Sequence, residues 1–410
     1  MIKKISAFLI AMTITIGCFA SCSDKDENND SSSKASSSAS ESSSSAASDS
    51  KAEAKVPEAS LTIDGKKVDT KDLIICTVDG HDIDFDTFRY YYFYTLMNYT
   101  NTYGVTLETL SQIDDGFNIF MKDVVNSIKQ EYVAQQLADE NGIKLTEDDK
   151  KTIDATIKSA QSNYESEEDY LTALKSSYLT EDVYKKMLEF STIYKKVDEK
   201  LFTVGGKYAT SEKDFKKIVQ DNDEYSRVIH ILIPYECQVE ITDSAAKETY
   251  ESGTLSAKLS AKQSAFKALS EDEQAKAKEK AKKLAEEVLQ KAKDGEDFKK
   301  LIEKYGWDPG MESSPDGYYI NKNTSFVQEF KDASFKLKEN QISGLVENDS
   351  YGWFIIKRLP VDMDYVNEHL KDMIKEYDNP KINELYNERT EKMKVVYDEI
   401  FDKITAESIT

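Results

Sequence analysis

Between Tyr225 and Pro360, short strand-like, helix-like and turn-forming segments follow one another in a fixed order. Val228-Ile229-His230-Ile231-Leu232-Ile233 is an apolar run with one polar residue inside it, and Arg227 to Tyr235 reads as a strand. A charged helix over 271–293 carries Ala281, Leu284, Ala285, Val288, Leu289 and Ala292 on one face. Gly295-Glu296-Asp297-Phe298 ends it and opens a second helix to Tyr305. Asp308-Pro309-Gly310 is a turn, and Gly317-Tyr318-Tyr319 leads into a strand. Phe326-Val327-Gln328-Glu329-Phe330, with Ala333 and Phe335, has helical spacing and predicts a helix over 327–337. Gly352-Trp353-Phe354-Ile355-Ile356-Lys357 starts a closing strand to Leu359. This mixed order of strands and helices favours α+β for residues 222–361.

At 410 residues the chain is too long for one core. A helical domain is expected over 70–204, after a short strand at 73–78 turned by Asp79-Gly80. Asp84 is a good N-cap, Gly142 a natural helix stop, Thr146 the start of a capping pattern, and Thr180 the start of a helix. In that last helix Val183, Met187, Phe190, Tyr194, Val197 and Leu201 recur at helical spacing. The tail over 362–410 is expected to be helical, with Met393, Val396, Tyr397, Ile400, Phe401 and Ile404 on one stripe. Such a stripe must be covered, and the first helical domain is the natural receptor.

The N-terminus sets an expectation for the compartment. Met1-Ile2-Lys3-Lys4 is a basic head, and Ile5 to Phe19 is apolar but short for a membrane span. Phe19-Ala20-Ser21-Cys22 resembles a bacterial lipobox, which makes Cys22 the expected lipidated residue, with Cys18 the competing site. Segment 1–22 is therefore read as a lipoprotein signal peptide and 23–69 as a disordered Ser-rich tether. The expected location is the extracytoplasmic face of a bacterial membrane. Cys76 and Cys237 sit in apolar runs and read as buried free thiols.

A formal charge of −22 excludes nucleic acid as a natural partner, because phosphates need Lys and Arg. His81, His230 and His369 are scattered, so neither a metal site nor a cofactor is expected. No phosphate loop, dinucleotide fingerprint or nucleophile elbow occurs.

In their order and spacing, the segments from 225 to 360 resemble a parvulin-type peptidyl-prolyl isomerase domain. The wider layout resembles the extracytoplasmic foldases of the PrsA/SurA type. The resemblance implies a helical chaperone domain, formed by N-terminal helices and a returning C-terminal helix, with a parvulin domain inserted. It implies isomerisation of X–Pro bonds in unfolded or partly folded secreted polypeptides, with no bond made or broken. It also implies site residues: Phe326, Phe330 and Phe354 as a proline socket, and His230 and Asp308 as the polar network. Phe335 falls to the core behind the socket. Without the resemblance, these phenylalanines are core residues by spacing, His230 a core histidine, and Asp308 a turn former.

Two departures bear on activity. Phe354 stands where the family's closing strand carries its second histidine, so His230 is expected to lack its partner. The polar insert at 238–270 is expected to project beside the site as decoration. A holdase chaperone with a weak or inactive parvulin domain is the alternative reading. The run Tyr90-Tyr91-Tyr92-Phe93-Tyr94 surrounds a helix with rings. Those rings either line a client groove or bury against the tail. Oligomeric state is not legible.

Overall fold

The computed structural model describes residues 58–410. The segment 1–22, with Cys18 and Cys22, and the tether as far as residue 57 lie outside the described residues. The chain divides into two compact units, one running to Lys200 and resuming at Lys381–Thr410, the other Leu201–Pro380.

In the first unit, the helices Phe85–Tyr103, Glu147–Ser162 and Glu181–Leu201 begin where the caps predict, and the unit also holds helices Gly116–Glu140 and Glu167–Ser176. Asp84 Oδ1 accepts the Thr87 N–H at 2.7 Å. Thr146 and Asp149 form a reciprocal capping box. Gly142 takes the left-handed conformation, φ 63°, just past the end of Gly116–Glu140.

The tail corrects the expectation of one long helix. The helix Leu370–Lys392 ends, and Val395–Tyr397 adds as an edge strand to Ile74–Val78, pairing Cys76 with Tyr397. β-Branched and aromatic residues suit a strand, and the open edge of the Ile74–Val78/His81–Asp84 hairpin offers unpaired backbone groups. The stripe accordingly breaks up. Met393 and Ile404 are buried, while Val396 is 67% exposed.

Part of the expected tether is also structured. Leu61–Ile63 and Lys66–Val68 pair as a hairpin across Asp64-Gly65, both at positive φ. An Asp-Gly pair between strands is a strong tight-turn signal.

The second unit is larger than the expected 222–361. Helix Glu212–Ile218 precedes the first strand, and its fully buried Phe215 packs edge-on to Tyr225 and Tyr377. Four antiparallel strands form its sheet, in the order Tyr318–Asn321, Tyr225–Ile233, Gly352–Leu359, Val346–Asn348. Alternation of side chains gives the central strand two faces. Ile229, Ile231 and Ile233 join Trp353 and Ile355 under helix Glu271–Lys293, whose Ala281, Ala285, Val288 and Ala292 are buried against them. Val228 and Leu232 face the other way, with Phe354, Ile356 and Ile320, under helix Gln328–Lys336.

The insert is not the projecting decoration expected beside the site. It forms helices Ser244–Ser252 and Leu255–Lys267, and Phe266 packs on the Ile229/Ile231 face, opposite the one that carries Leu232. The Lys262 ammonium is buried and donates to the Val239 carbonyl. Apolar residues at helical spacing, Leu259 and Phe266 among them, are thin in this Ala/Ser/Lys-rich segment. That is why sequence alone understated it. Cys76 and Cys237 are free, buried thiols.

Candidate active site

His230 lies on the Leu232 face of the central strand and is 2% exposed. Its Nε2 stands 3.0 Å from Asp308 Oδ2. The two are brought together by a backbone bond: Trp307 N–H donates to the Leu232 carbonyl at 3.0 Å, laying the 306–310 loop against the strand. Asp308 then N-caps the short helix Pro309–Ser313, its Oδ1 accepting the Gly310 N–H at 2.9 Å. Turn former and network member are thus one role.

Tyr318 completes the cluster. Its hydroxyl donates to Asp308 Oδ2 at 2.9 Å. Gly310 leaves room for that hydroxyl: a Cβ at 310 would lie 1.8 Å from the Tyr318 oxygen, which would have to shift. Gly317, at φ 96° and tight against the Val228 carbonyl, turns the chain so that Tyr318 pairs with Val228.

Sequence reasoning did not assign Tyr318 a role. Its place follows from pairing: opposite Val228, it shares a face with His230 by the two-residue period of the strand, and no local sequence pattern states that register.

Burial alone would raise the Asp308 carboxyl. The hydrogen bonds from His230, Gly310 and Tyr318 outweigh it and hold the carboxyl below its usual range. Burial, then the neighbouring Asp308 charge, pushes the Tyr318 phenol well up. At neutral pH Asp308 is ionised and Tyr318 protonated. With a carboxylate facing it, Nε2 carries the histidine's donated proton. Nδ1 of His230 is buried and has no hydrogen-bond partner among the described residues.

Aromatic rings surround the histidine. Phe330, Phe354 and Tyr318 have centroids 5.0, 5.6 and 5.7 Å from the imidazole. Phe330 meets Phe354 edge-on at 5.2 Å and stacks on Phe326 at 5.3 Å. Phe330 and Phe354 therefore flank His230, Phe354 through the register Leu232↔Phe354, while Phe326 joins them through Phe330 and through Tyr318, 5.2 Å away. Phe330 and Phe354 are buried; Phe326 is half-exposed and offers the reachable ring. Phe335 is half-buried against the same cluster.

A weakly basic carboxylate and a weakly acidic phenol make poor proton carriers. Together they make a fixed array of dipoles beside an apolar surface, suited to favouring one electrostatic state of a bound group over another.

Residues 213–360 match the family of the PPIC-type PPIase domain. A foldase protein PrsA of Geobacillus sp. (strain WCH70) is 46% identical over 77 residues, 18% of this chain and 27% of that protein. A foldase protein PrsA of Staphylococcus aureus (strain MRSA252) is 26% identical over 265 residues, 63% of this chain and 68% of that protein. The crystal structure of peptidylprolyl isomerase (PrsA) from Bacillus cereus aligns with 82% of this chain and 98% of its own, at 18% identity and a TM-score of 0.32.

Proposed function

We propose that this chain, a PrsA-like protein whose residues 213–360 are a PPIC-type isomerase domain of the parvulin family, is a membrane-anchored peptidyl-prolyl cis-trans isomerase for secreted proteins. The observation that carries the reading is the convergence of Phe326, Phe330 and Phe354 on the His230–Asp308–Tyr318 cluster.

Rotation about an X–Pro amide faces a barrier of about 18–20 kcal/mol and takes tens to hundreds of seconds unaided. The reaction moves no proton and breaks no bond. What lowers the barrier is a dry site that favours the twisted amide, whose carbonyl and nitrogen are no longer conjugated, over the planar one. Phe326 supplies apolar surface for the pyrrolidine ring, with Phe330 and Phe354 as the floor behind it. The hydrogen-bonded cluster supplies dipoles already oriented before substrate arrives. No cofactor enters this scheme.

The N-terminal features support an anchor: a short apolar segment ending in small residues before Cys22. Lipidation there would hold the protein at the outer face of the membrane, where chains emerge unfolded.

A second reading has its own observation. Phe354 occupies the position of the family's second histidine, and His230 Nδ1 is left without a partner. That favours a weakened isomerase in a protein working mainly as a holdase. A protease-coupled assay on a proline tetrapeptide separates the two. Acceleration of the cis-to-trans step by the purified protein supports the isomerase. An unchanged rate, with suppression of client aggregation, overturns it in favour of the holdase.

A further inference from the structure

The strand Val395–Tyr397 is the last of its sheet, in the order His81–Asp84, Ile74–Val78, Val395–Tyr397. Asp79 N–H donates to the Lys394 carbonyl at 2.8 Å and Asp398 N–H to the Ile75 carbonyl at 3.1 Å. With Thr77 opposite Val396, those bonds fix which backbone groups face inward. Val396 turns its N–H and C=O toward Ile74–Val78. Val395 and Tyr397 turn theirs outward, and among the described residues nothing bonds them there.

The side chains along this edge are open as well. From Lys394 to Glu399 every residue is exposed except the half-buried Val395, with Val396 at 67% and Tyr397 at 44%. Tyr397 and Val395 stand opposite the buried Cys76 and Val78, so they carry the core face of the sheet on to its outer rim. The Tyr397 ring rests on Phe401, 4.4 Å away.

An apolar edge invites a further strand, and charged residues ordinarily deter it. Here the charges are placed so that they select one. Lys394-Val395-Val396-Tyr397-Asp398 reads positive, three apolar residues, negative. Laid antiparallel on a copy of itself about Val396, it sets each Lys394 against the other copy's Asp398 and each Val395 against the other copy's Tyr397. A parallel copy would set Lys against Lys. The antiparallel register also satisfies the outward groups, because Val395 opposite Tyr397 is then a hydrogen-bonded pair, twice over. Aromatic against β-branched is a favourable cross-strand pair. Among the described residues Lys394 and Asp398 have no ion pair of their own, and Asp398 Oδ1 accepts the Ile400 N–H at 2.9 Å, which leaves Oδ2 for the lysine.

We infer that Val395–Tyr397 pairs with itself in a second copy of this chain, antiparallel about a two-fold axis, joining two three-stranded sheets into one of six strands. An arbitrary client strand would not match the charges at both ends, whereas a second copy does so by symmetry. The interface belongs to the first unit and depends on neither the isomerase nor the holdase reading. So short a contact falls in the weak, transient class, with an expected dissociation constant of about 10–100 μM.

Sedimentation equilibrium of the full chain in a non-ionic detergent should show a monomer–dimer equilibrium in that range. Lys394→Glu puts two like-charged pairs in the interface and should weaken it about tenfold, as should Asp398→Lys. Lys394→Glu combined with Asp398→Lys exchanges the signs and should restore the parent's affinity, which a merely misfolded edge could not do. The tetrapeptide isomerisation rate should stay unchanged in all three. Symmetry supplies a second readout. Val396 would face its own copy at a Cα separation of about 4.5 Å, within disulfide reach. Val396→Cys, in a chain carrying Cys18→Ser and Cys22→Ser, should therefore give a covalent dimer on mild oxidation, and Glu399→Cys in the same chain should not. Cys76 and Cys237 are buried. A parent that stays monomeric at about 500 μM, a dimer indifferent to Lys394→Glu, or equal cross-linking at 396 and 399 overturns the inference. So does a monomeric parent that captures an extended Val- and Tyr-containing peptide and loses it in Lys394→Glu, which would give the edge to a client instead.

Discussion

His230 holds Asp308 through Nε2, at 3.0 Å, while its other ring nitrogen is buried without a partner beside Phe354. Half of the imidazole is anchored and half is not. A buried acceptor left unmatched costs on the order of 1–3 kcal/mol, and it leaves the ring's orientation to packing alone.

Phe354→His should therefore place a donor near Nδ1 and raise the isomerisation rate severalfold in the protease-coupled assay. The same change exchanges a buried ring for a polar one, so the melting temperature should fall, by the equivalent of about 1–3 kcal/mol. A rate equal to that of the parent would show that the absent second histidine does not limit the site.

Asp308→Asn keeps the shape of the side chain but removes the charge that three donors share. The rate should fall about tenfold and stability at neutral pH by about 1–3 kcal/mol. Because the folded carboxyl lies below its unfolded value of about 3.9, its contribution is complete above that pH and is lost as acid protonates it. Denaturant midpoints of the variant and parent should thus differ at pH 7 and converge in acid, as the pH falls through the lowered pKa of Asp308.

The Gly310 contact predicts a specific coupling. Gly310→Ala drives a methyl group into the Tyr318 hydroxyl and should pull it off Asp308, lowering the rate. In a Tyr318→Phe background that hydroxyl is absent, and Gly310→Ala should then cost measurably less. Additive effects in this double-mutant cycle would mean the two residues do not meet as described.

Glu131 makes a prediction about stability independent of any ligand. Its folded carboxyl is raised to about 7, so the native state keeps a proton that the unfolded chain releases near 4.3. Stability is therefore highest below that lower value and declines as pH rises toward 7. Glu131→Gln should raise the melting temperature at pH 8, by the equivalent of about 1–3 kcal/mol, and leave it unchanged at pH 4.

For the anchor, cells fed labelled palmitate should lipidate the parent and Cys18→Ala but not Cys22→Ala. Label retained in Cys22→Ala and lost in Cys18→Ala would move the anchor to Cys18.

Much of the isomerase domain was legible because its signals are local. The helix Glu271–Lys293 and the strand Gly352–Leu359 fall where periodicity and bounding glycines put them. Those glycines matter for backbone reasons: Gly295 and Gly352 both take positive φ. His230, Asp308, Phe326, Phe330 and Phe354 came from resemblance, and the structure gathers them into one cluster. Tyr318 escaped notice because its role depends on register, which joins it to Val228 across a sheet, and no local pattern states register. The tail failed for a similar reason. Val395-Val396-Tyr397 is compatible with a helical stripe, and only the open edge of Ile74–Val78 selects the strand.

The sequence by itself determined where helices cap, where strands begin and which residue types line the five segments, since caps, turns and periodicity act within a few residues. Tertiary structure alone decided that Trp307 ties to Leu232 and so hangs Asp308 over His230. It also decided that Phe266 of the 238–270 insert packs on the sheet face opposite His230, and that Glu131 is half-buried with no ion pair among the described residues. Those outcomes depend on hydrogen bonds and burial between segments far apart in the chain, and such contacts exist only once the faces have docked.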